Sequence, residues 1–178
     1  MLRDIQKQIL LSNMVSENWF KEHGERFFGA GFKYEATSEG FLSNMLDRNA
    51  AGDWVIYPGK GGELNEEHPF MIATRCQPLS RFRTWTVRFI TDRGGENTEW
   101  LKLERQASGE DNIVCKYHLH IYHEKHSDKN IHWGLIKTKA LLNALSNSPD
   151  AGFRDNRYGG TFLYLPFESK YAIGAIHA

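Results

Sequence analysis

Five of the eight histidines lie within fifteen residues of one another and form the densest group of side chains that could do chemistry. They are His118, His120, His123, His126 and His132. If residues 112–122 form a strand, His118 and His120 lie on one face, about 7 Å apart, because side chains alternate along a strand. Neutral imidazoles bind metal ions, and His123 could fold back from the following loop. One interpretation is therefore a divalent metal site at His118, His120 and His123.

Two other interpretations of the histidine group are open. The histidines could lie on an exposed polar face of the sheet, or they could contact a nucleic acid or another ligand.

The segment His118-Leu119-His120 resembles the paired metal ligands of HUH nucleases, which also use a tyrosine nucleophile. Tyr158, Tyr164 and Tyr171 fall in predicted loops or strands. The tyrosine of that motif therefore has no helical counterpart in the sequence.

A second pattern involves carboxylates. Pro149-Asp150, followed at a distance by Glu168-Ser169-Lys170, matches the loose PD…ExK pattern and so resembles restriction-type nucleases. In that chemistry two carboxylates hold a divalent metal ion, and the lysine positions or activates water. The alternative function is therefore an endonuclease or another metal-dependent hydrolase with Asp150, Glu168 and Lys170 as catalytic residues.

The net charge is zero, because 22 basic side chains balance 22 acidic ones, but the two signs are unevenly distributed. Residues 1–71 carry seven basic and eleven acidic side chains, whereas residues 72–178 carry fifteen and eleven. The composition therefore excludes a wholly basic protein, yet it permits a basic surface on the second part of the chain.

Basic and aromatic residues occur together in this second part. Arginine and lysine bind phosphates, while arginine, lysine and asparagine also contact base edges. We therefore predict a DNA-binding domain that needs no cofactor, with double-stranded DNA as its partner. The predicted contact residues are Arg81, Arg83, Lys116, His118, His120, Lys125, His126, Lys129, His132, Trp133, Arg154, Asn156 and Arg157.

The polar segment HEKHSDKNIHWG, residues 123–134, resembles the DNA-gripping arm of B3-like recognition domains of restriction endonucleases. Such domains are seven-stranded pseudobarrels with two arms that clasp duplex DNA. The resemblance implies a recognition domain associated with a restriction-type nuclease system. It assigns Lys125, His126, Lys129, His132 and Trp133 to one arm, and Pro58 to Gly62 is the candidate for the glycine-rich first arm.

The elements that position these residues follow from apolar spacing. An amphipathic helix is predicted within residues 1–21, with a break near Ser12 and a restart at Ser16. Strands are predicted at 54–57, 83–91, 98–103, 112–122, 131–134 and 161–167, and a helix at 137–146. The turn signal at residues 92–97 predicts a hairpin between the second and third of these strands. Residues 150–160 are predicted to form a polar loop.

Together these elements predict an α+β fold, with a mainly antiparallel, barrel-like sheet and a few covering helices. We expect a single domain over 1–178, with a helical acidic part at about 1–68 and a β-rich basic part at about 69–178. No membrane span or leader peptide is recognisable, and Cys76 and Cys115 are far apart, so a cytoplasmic protein is expected. The apolar ending YAIGAIHA also fits a domain cut from a longer chain.

Overall fold

Three helices and nine strands form the regular structure of the described residues, which are 2–37, 53–79, 83–90, 99–108, 115–125, 127–155 and 160–178 of a computed structural model. This composition confirms the predicted α+β class. In chain order the elements are α1 Leu2–Phe28, β1 Lys33–Ala36, β2 Trp54–Tyr57, β3 Phe70–Pro78, β4 Thr84–Ile90, α2 Glu99–Ser108, β5 Cys115–His123, β6 Asn130–Lys137, α3 Thr138–Asn147, β7 Gly152–Asp155, β8 Thr161–Pro166 and β9 Ile176–His177.

The described strands form two open sheets. The larger has the order β1-β2-β3-β5-β6-β9, and the smaller has the order β4-β8-β7. Only β3 and β5 pair in parallel among the described strands, and β4 and α2 lie in the crossover that such a pair requires. The expectation of a barrel-like sheet is therefore wrong. Among the described strands, β4 belongs to the smaller sheet, and the larger sheet ends at β1 and β9 without closing into a barrel.

Helix α1 covers one face of the six-stranded sheet. Its fully buried Val15, Trp19 and Phe20 pack against strand residues such as Leu119 in one apolar cluster. The expected break near Ser12 is absent: α1 is continuous, and the hydroxyl of buried Ser16 donates to the carbonyl oxygen of Ser12 at 3.0 Å. The serine that suggested a helix start thus bonds within the helix.

The opposite face of the six-stranded sheet is also covered. A second apolar cluster joins Trp85 of β4, Leu165 of β8, Leu103 of α2 and Leu141 of α3 to Ile136 of β6. The three-stranded sheet and helices α2 and α3 therefore form a second layer. The larger sheet consequently lies between α1 on one side and this layer on the other, and β5 is covered on both faces.

The prediction of a strand at 98–103, paired in a hairpin with the strand before it, is wrong, because residues 99–108 form helix α2. Glutamate, leucine, lysine, arginine and glutamine favour a helix, and the spacing of Trp100 and Leu103 places both on its inner side. Leu103 is fully buried, and the Trp100 ring lies 5.9 Å from that of Phe89. The proposed turn at 92–97 lies outside the described residues.

The second half of the chain contains two strands that the sequence did not predict. Residues 150–160 were expected to be loop, but β7 at Gly152–Asp155 pairs with β8. Strand β8 is not the last one, because β9 pairs with β6.

Among the described helices, none has the length and apolarity needed to cross a membrane.

Candidate functional site

Strand β4 pairs with β8 along one edge, and side chains of the larger sheet bind the groups on its other edge. The Thr84 amide donates to the Tyr122 hydroxyl at 2.9 Å, and that hydroxyl lies 3.0 Å from the Thr84 carbonyl oxygen. The Thr86 amide donates to Nδ1 of His120 at 3.2 Å. Polar groups of an unpaired edge need such partners when they are buried, so these contacts dock β4 on the larger sheet.

Arg75 and Glu99 complete this arrangement. The Arg75 guanidinium donates to the Thr86 carbonyl oxygen at 2.7 Å and lies 3.5 Å from a carboxylate oxygen of Glu99. The same Glu99 oxygen accepts from the Arg88 amide at 3.0 Å. We call Arg75, Glu99, His120 and Tyr122 the β4 bracket. It holds the strand that contributes Thr84 and Thr86 to the surface described below.

His118 and His120 are 1% exposed, so the expectation of an exposed polar face is wrong. Their ring centroids are 6.4 Å apart. Burial lowers the pKa of His118, with Glu99 raising it and Arg75 lowering it further. Burial also holds the pKa of His120 well below its usual range, and Arg75 and His118 act in the same direction. Both rings are therefore neutral at pH 7 and cannot reach an external ligand in this structure.

The three histidines proposed as metal ligands do not converge. Nδ1 of His123 donates to the carbonyl oxygens of Glu124 and Ser127, at 2.8 and 2.9 Å. Alternation along β5 places His123 on the face opposite His118 and His120. Within the described residues no three His, Cys, Asp or Glu side chains are grouped as metal ligands.

An open cleft of about 1050 Å³ lies over the outward face of the three-stranded sheet. We call it the sheet-face cleft. Its walls come from the start of β4, from β7 and β8, and from the turns beside them. The lining residues are Arg83, Thr84, Thr86, Asp150, Phe153, Arg154, Tyr164, Pro166, Glu168 and Ser169.

The cleft brings together residues from two separate sequence hypotheses. Arg83 and Arg154, both predicted to bind DNA, are exposed and lie at its border, as do Asp150 and Glu168 of the PD…ExK pattern. The Ser169 hydroxyl donates to Oδ2 of Asp150 at 2.9 Å. Lys170 of the same pattern is not among the lining residues, and its Nζ lies 5.3 Å from the ring centre of Tyr171.

Aromatic side chains accompany the charges. Phe153 of β7 is 63% exposed, and its ring meets that of Phe89 edge to face at 5.3 Å. Beside the cleft, the guanidinium groups of Arg75 and Arg88 lie 4.9 and 5.7 Å from the ring centre of Phe162. Phe153 pairs with Leu163 in the sheet and so lies on its inner face, as its contact with Phe89 also indicates. The outward face carries Tyr164, and Phe162 with the guanidinium groups of Arg75 and Arg88 beside it.

The other predicted DNA contacts are distributed over the molecule. Lys116, at the start of β5, forms an ion pair with Glu66. Exposed Lys125 and Lys129 lie beyond the other end of β5, which has nine residues and so is about 30 Å long. His132 is half-buried on β6. These side chains consequently do not form one surface with Lys116.

Both segments that resemble arms contact helix α1. Trp133 is 5% exposed and packs against Trp19 and Phe27 of α1. Residues 58–62 pack against the end of α1: the Gly59 amide donates to the Phe28 carbonyl oxygen, and a Cβ at Gly59 would lie 2.1 Å from the Ala30 carbonyl oxygen. This close approach requires glycine and attaches the loop to the body of the protein.

Four predicted contact residues, Arg81, His126, Asn156 and Arg157, lie outside the described residues. Sequence reasoning missed two members of the β4 bracket, Arg75 and Glu99, because nothing in their local spacing distinguishes them from surface charges. No protein-family model matches the chain, and neither a curated protein nor a solved structure shows significant similarity to it.

Proposed function

We propose that this protein is a DNA-binding domain and that the sheet-face cleft is its contact surface. The observation that carries the proposal is the convergence of Arg83 and Arg154 on one cleft, although they are far apart in sequence. Guanidinium groups pair with phosphate oxygens, and the hydroxyls of Thr84, Thr86 and Tyr164 offer further donors. The sheet supplies a rigid support for these groups.

Removing either arginine should lower the affinity for DNA and make that affinity less sensitive to salt concentration. We expect Arg83→Ala and Arg154→Ala each to lower the slope of log K against log salt concentration by about one unit, because each removes one phosphate contact. Fluorescence anisotropy with short duplex and single-stranded DNA, between about 50 and 200 mM salt, measures this slope. Lys21→Ala is the control, since exposed Lys21 lies on α1, across the larger sheet. Salt-insensitive binding, or equal slopes in all variants, would contradict the proposal.

A second candidate function is metal-dependent cleavage of DNA, favoured by the position of Asp150 and Glu168 in the same cleft. Two carboxylates can hold a divalent cation beside a phosphodiester. We expect cleavage of single- or double-stranded DNA with Mg²⁺ or Mn²⁺, lost in Asp150→Asn and retained in Asp155→Asn. Asp155 is a matched control, because it lies on β7 and accepts from Thr161 at 2.9 Å. A wild-type protein that cleaves neither substrate would exclude this candidate.

The association with a restriction-type nuclease system rests on the sequence resemblance and stays a prediction. Lys125 and Lys129 are exposed in the segment between β5 and β6, and Asp128 of that segment accepts from the Asn18 side chain of α1 at 2.9 Å. The Glu124 amide bonds to the Lys129 carbonyl oxygen at 2.9 Å, so the segment forms a loop that closes on itself. A Lys125→Ala, Lys129→Ala double variant included in the same titrations would show whether this loop contributes to binding.

A further inference from the structure

We propose that the sheet-face cleft takes an unpaired nucleotide whose base carries an exocyclic amino group, with Asp150 and Glu168 as acceptors. This inference rests on the proposed function and specifies the ligand of the same cleft. It follows from three properties of the cleft: its size, the aromatic ring of Tyr164 and the equal number of basic and acidic side chains that line it.

The size of the cleft favours one or two nucleotides. A volume of about 1050 Å³ is slightly above the range of pockets for small molecules, which is about 300 to 1,000 Å³. A concave site of this kind does not receive a paired base, because a base in a duplex is stacked within the helix and exposes only its edges in the grooves. A base that enters the cleft therefore has to be unpaired.

The aromatic ring of Tyr164 gives such a base a stacking surface. Tyr164 lies in the central strand of the small sheet, on the face that lines the cleft, and its ring lies over Gly152. Every base has a planar π face, so stacking holds bases of single strands without regard to their sequence. Arg83 and Arg154 supply positive charge for the adjoining phosphates. These groups account for binding but not for any choice among bases.

The two carboxylates of the cleft provide selectivity among bases. Asp150 and Glu168 would repel phosphate, so in a DNA site they need a donor as partner. The exocyclic amino groups of cytosine and adenine are such donors, and carboxylates accept from cytosine N4. Thymine has the O4 carbonyl at the corresponding position, which cannot donate. Asp150 accepts from the Ser169 hydroxyl through Oδ2, and a carboxylate has about four acceptor positions, so it can also accept from a base.

The test compares single-stranded homopolymers of dC, dA and dT, about ten nucleotides long, with a duplex of the same length. Fluorescence anisotropy in EDTA at about 50 mM salt separates amine recognition from metal-dependent binding. We expect dC and dA to bind about tenfold more tightly than dT. Asp150→Asn and Glu168→Gln should each raise dT affinity and reduce the preference, because an amide can donate to thymine O4. Asp155→Asn on β7 should keep the wild-type preference.

The possible failures are distinguishable. If no strand binds, the proposed function itself is wrong. If the duplex binds more tightly than every single strand, or if dT binds as tightly as dC, the proposed function stands and this inference is overturned. A preference that persists in both Asp150→Asn and Glu168→Gln also overturns it, because the carboxylates would then not be the acceptors.

Discussion

Lowering the pH below about 6.5 is expected to destabilise this fold steeply. In the unfolded chain His118 and His120 titrate near the ordinary value of 6.5, whereas burial lowers the pKa of both in the folded protein. Below pH 6.5 the unfolded chain therefore binds protons that the folded chain does not. The free energy of unfolding is undiminished above this pH, and it falls by up to about 1.4 kcal/mol per pH unit for each histidine until the folded pKa is passed.

Urea unfolding at a series of pH values from about 7.5 to 5 measures this slope. We expect His118→Leu to flatten it by about half, since one of the two buried titrating rings is removed. His68→Gln is the control, because His68 is exposed in the loop before β3. His23, whose pKa is lowered mainly by burial, leaves a residual slope in the same direction. An unchanged slope in His118→Leu would show that the buried rings are not the cause.

The part of the fold that sequence reasoning predicted depends on local contacts. Strands β2, β4 and β8 and helix α3 were expected near their observed positions, because their apolar residues follow the period of a strand or a helix. In β4 the predicted alternation is confirmed, with Trp85 and Val87 fully buried. Such periodicity can be recognised within a few residues, without information on the rest of the chain.

The part that failed depends on distant contacts. Alternation along β5 correctly placed His118 and His120 on one face, opposite Leu119. Whether that face is exposed depends on β4 and on α2, which lie in other parts of the chain, and no local pattern reports their docking. The interpretation as an exposed face was wrong for this reason. The same docking turns His120 into a partner for the Thr86 amide.

The charged residues that line the cleft were predicted as parts of two separate sites. Arg83 and Arg154 belonged to one hypothesis, and Asp150 and Glu168 to another, because the sequence gives no register between β4, β7 and β8. The register pairs Thr86 with Tyr164 and Tyr164 with Gly152, so three separate segments meet across one sheet. The residue types were informative, while their convergence required the strand pairing.

Arg75 is expected to be the most costly charged residue to remove. In Arg75→Met the Thr86 carbonyl oxygen loses its 2.7 Å donor, and Glu99 loses its guanidinium neighbour. Both side chains of that ion pair are 24% exposed, so solvent replaces the lost contacts incompletely. We expect the free energy of unfolding at pH 7 to fall by about 3 kcal/mol, since a charge-assisted hydrogen bond is lost and a carboxylate is left poorly paired.

Arg88→Met is the matched control, because Arg88 is exposed and binds Glu99 through its backbone amide, which the substitution keeps. It should change the free energy of unfolding by no more than about 0.5 kcal/mol. Arg75 lowers the pKa of both His118 and His120. Arg75→Met should therefore also shorten the pH range over which stability is lost, as a second readout from urea unfolding. Equal losses in the two variants would mean that the guanidinium of Arg75 does not hold β4, and that His120, Tyr122 and apolar packing dock the small sheet without it.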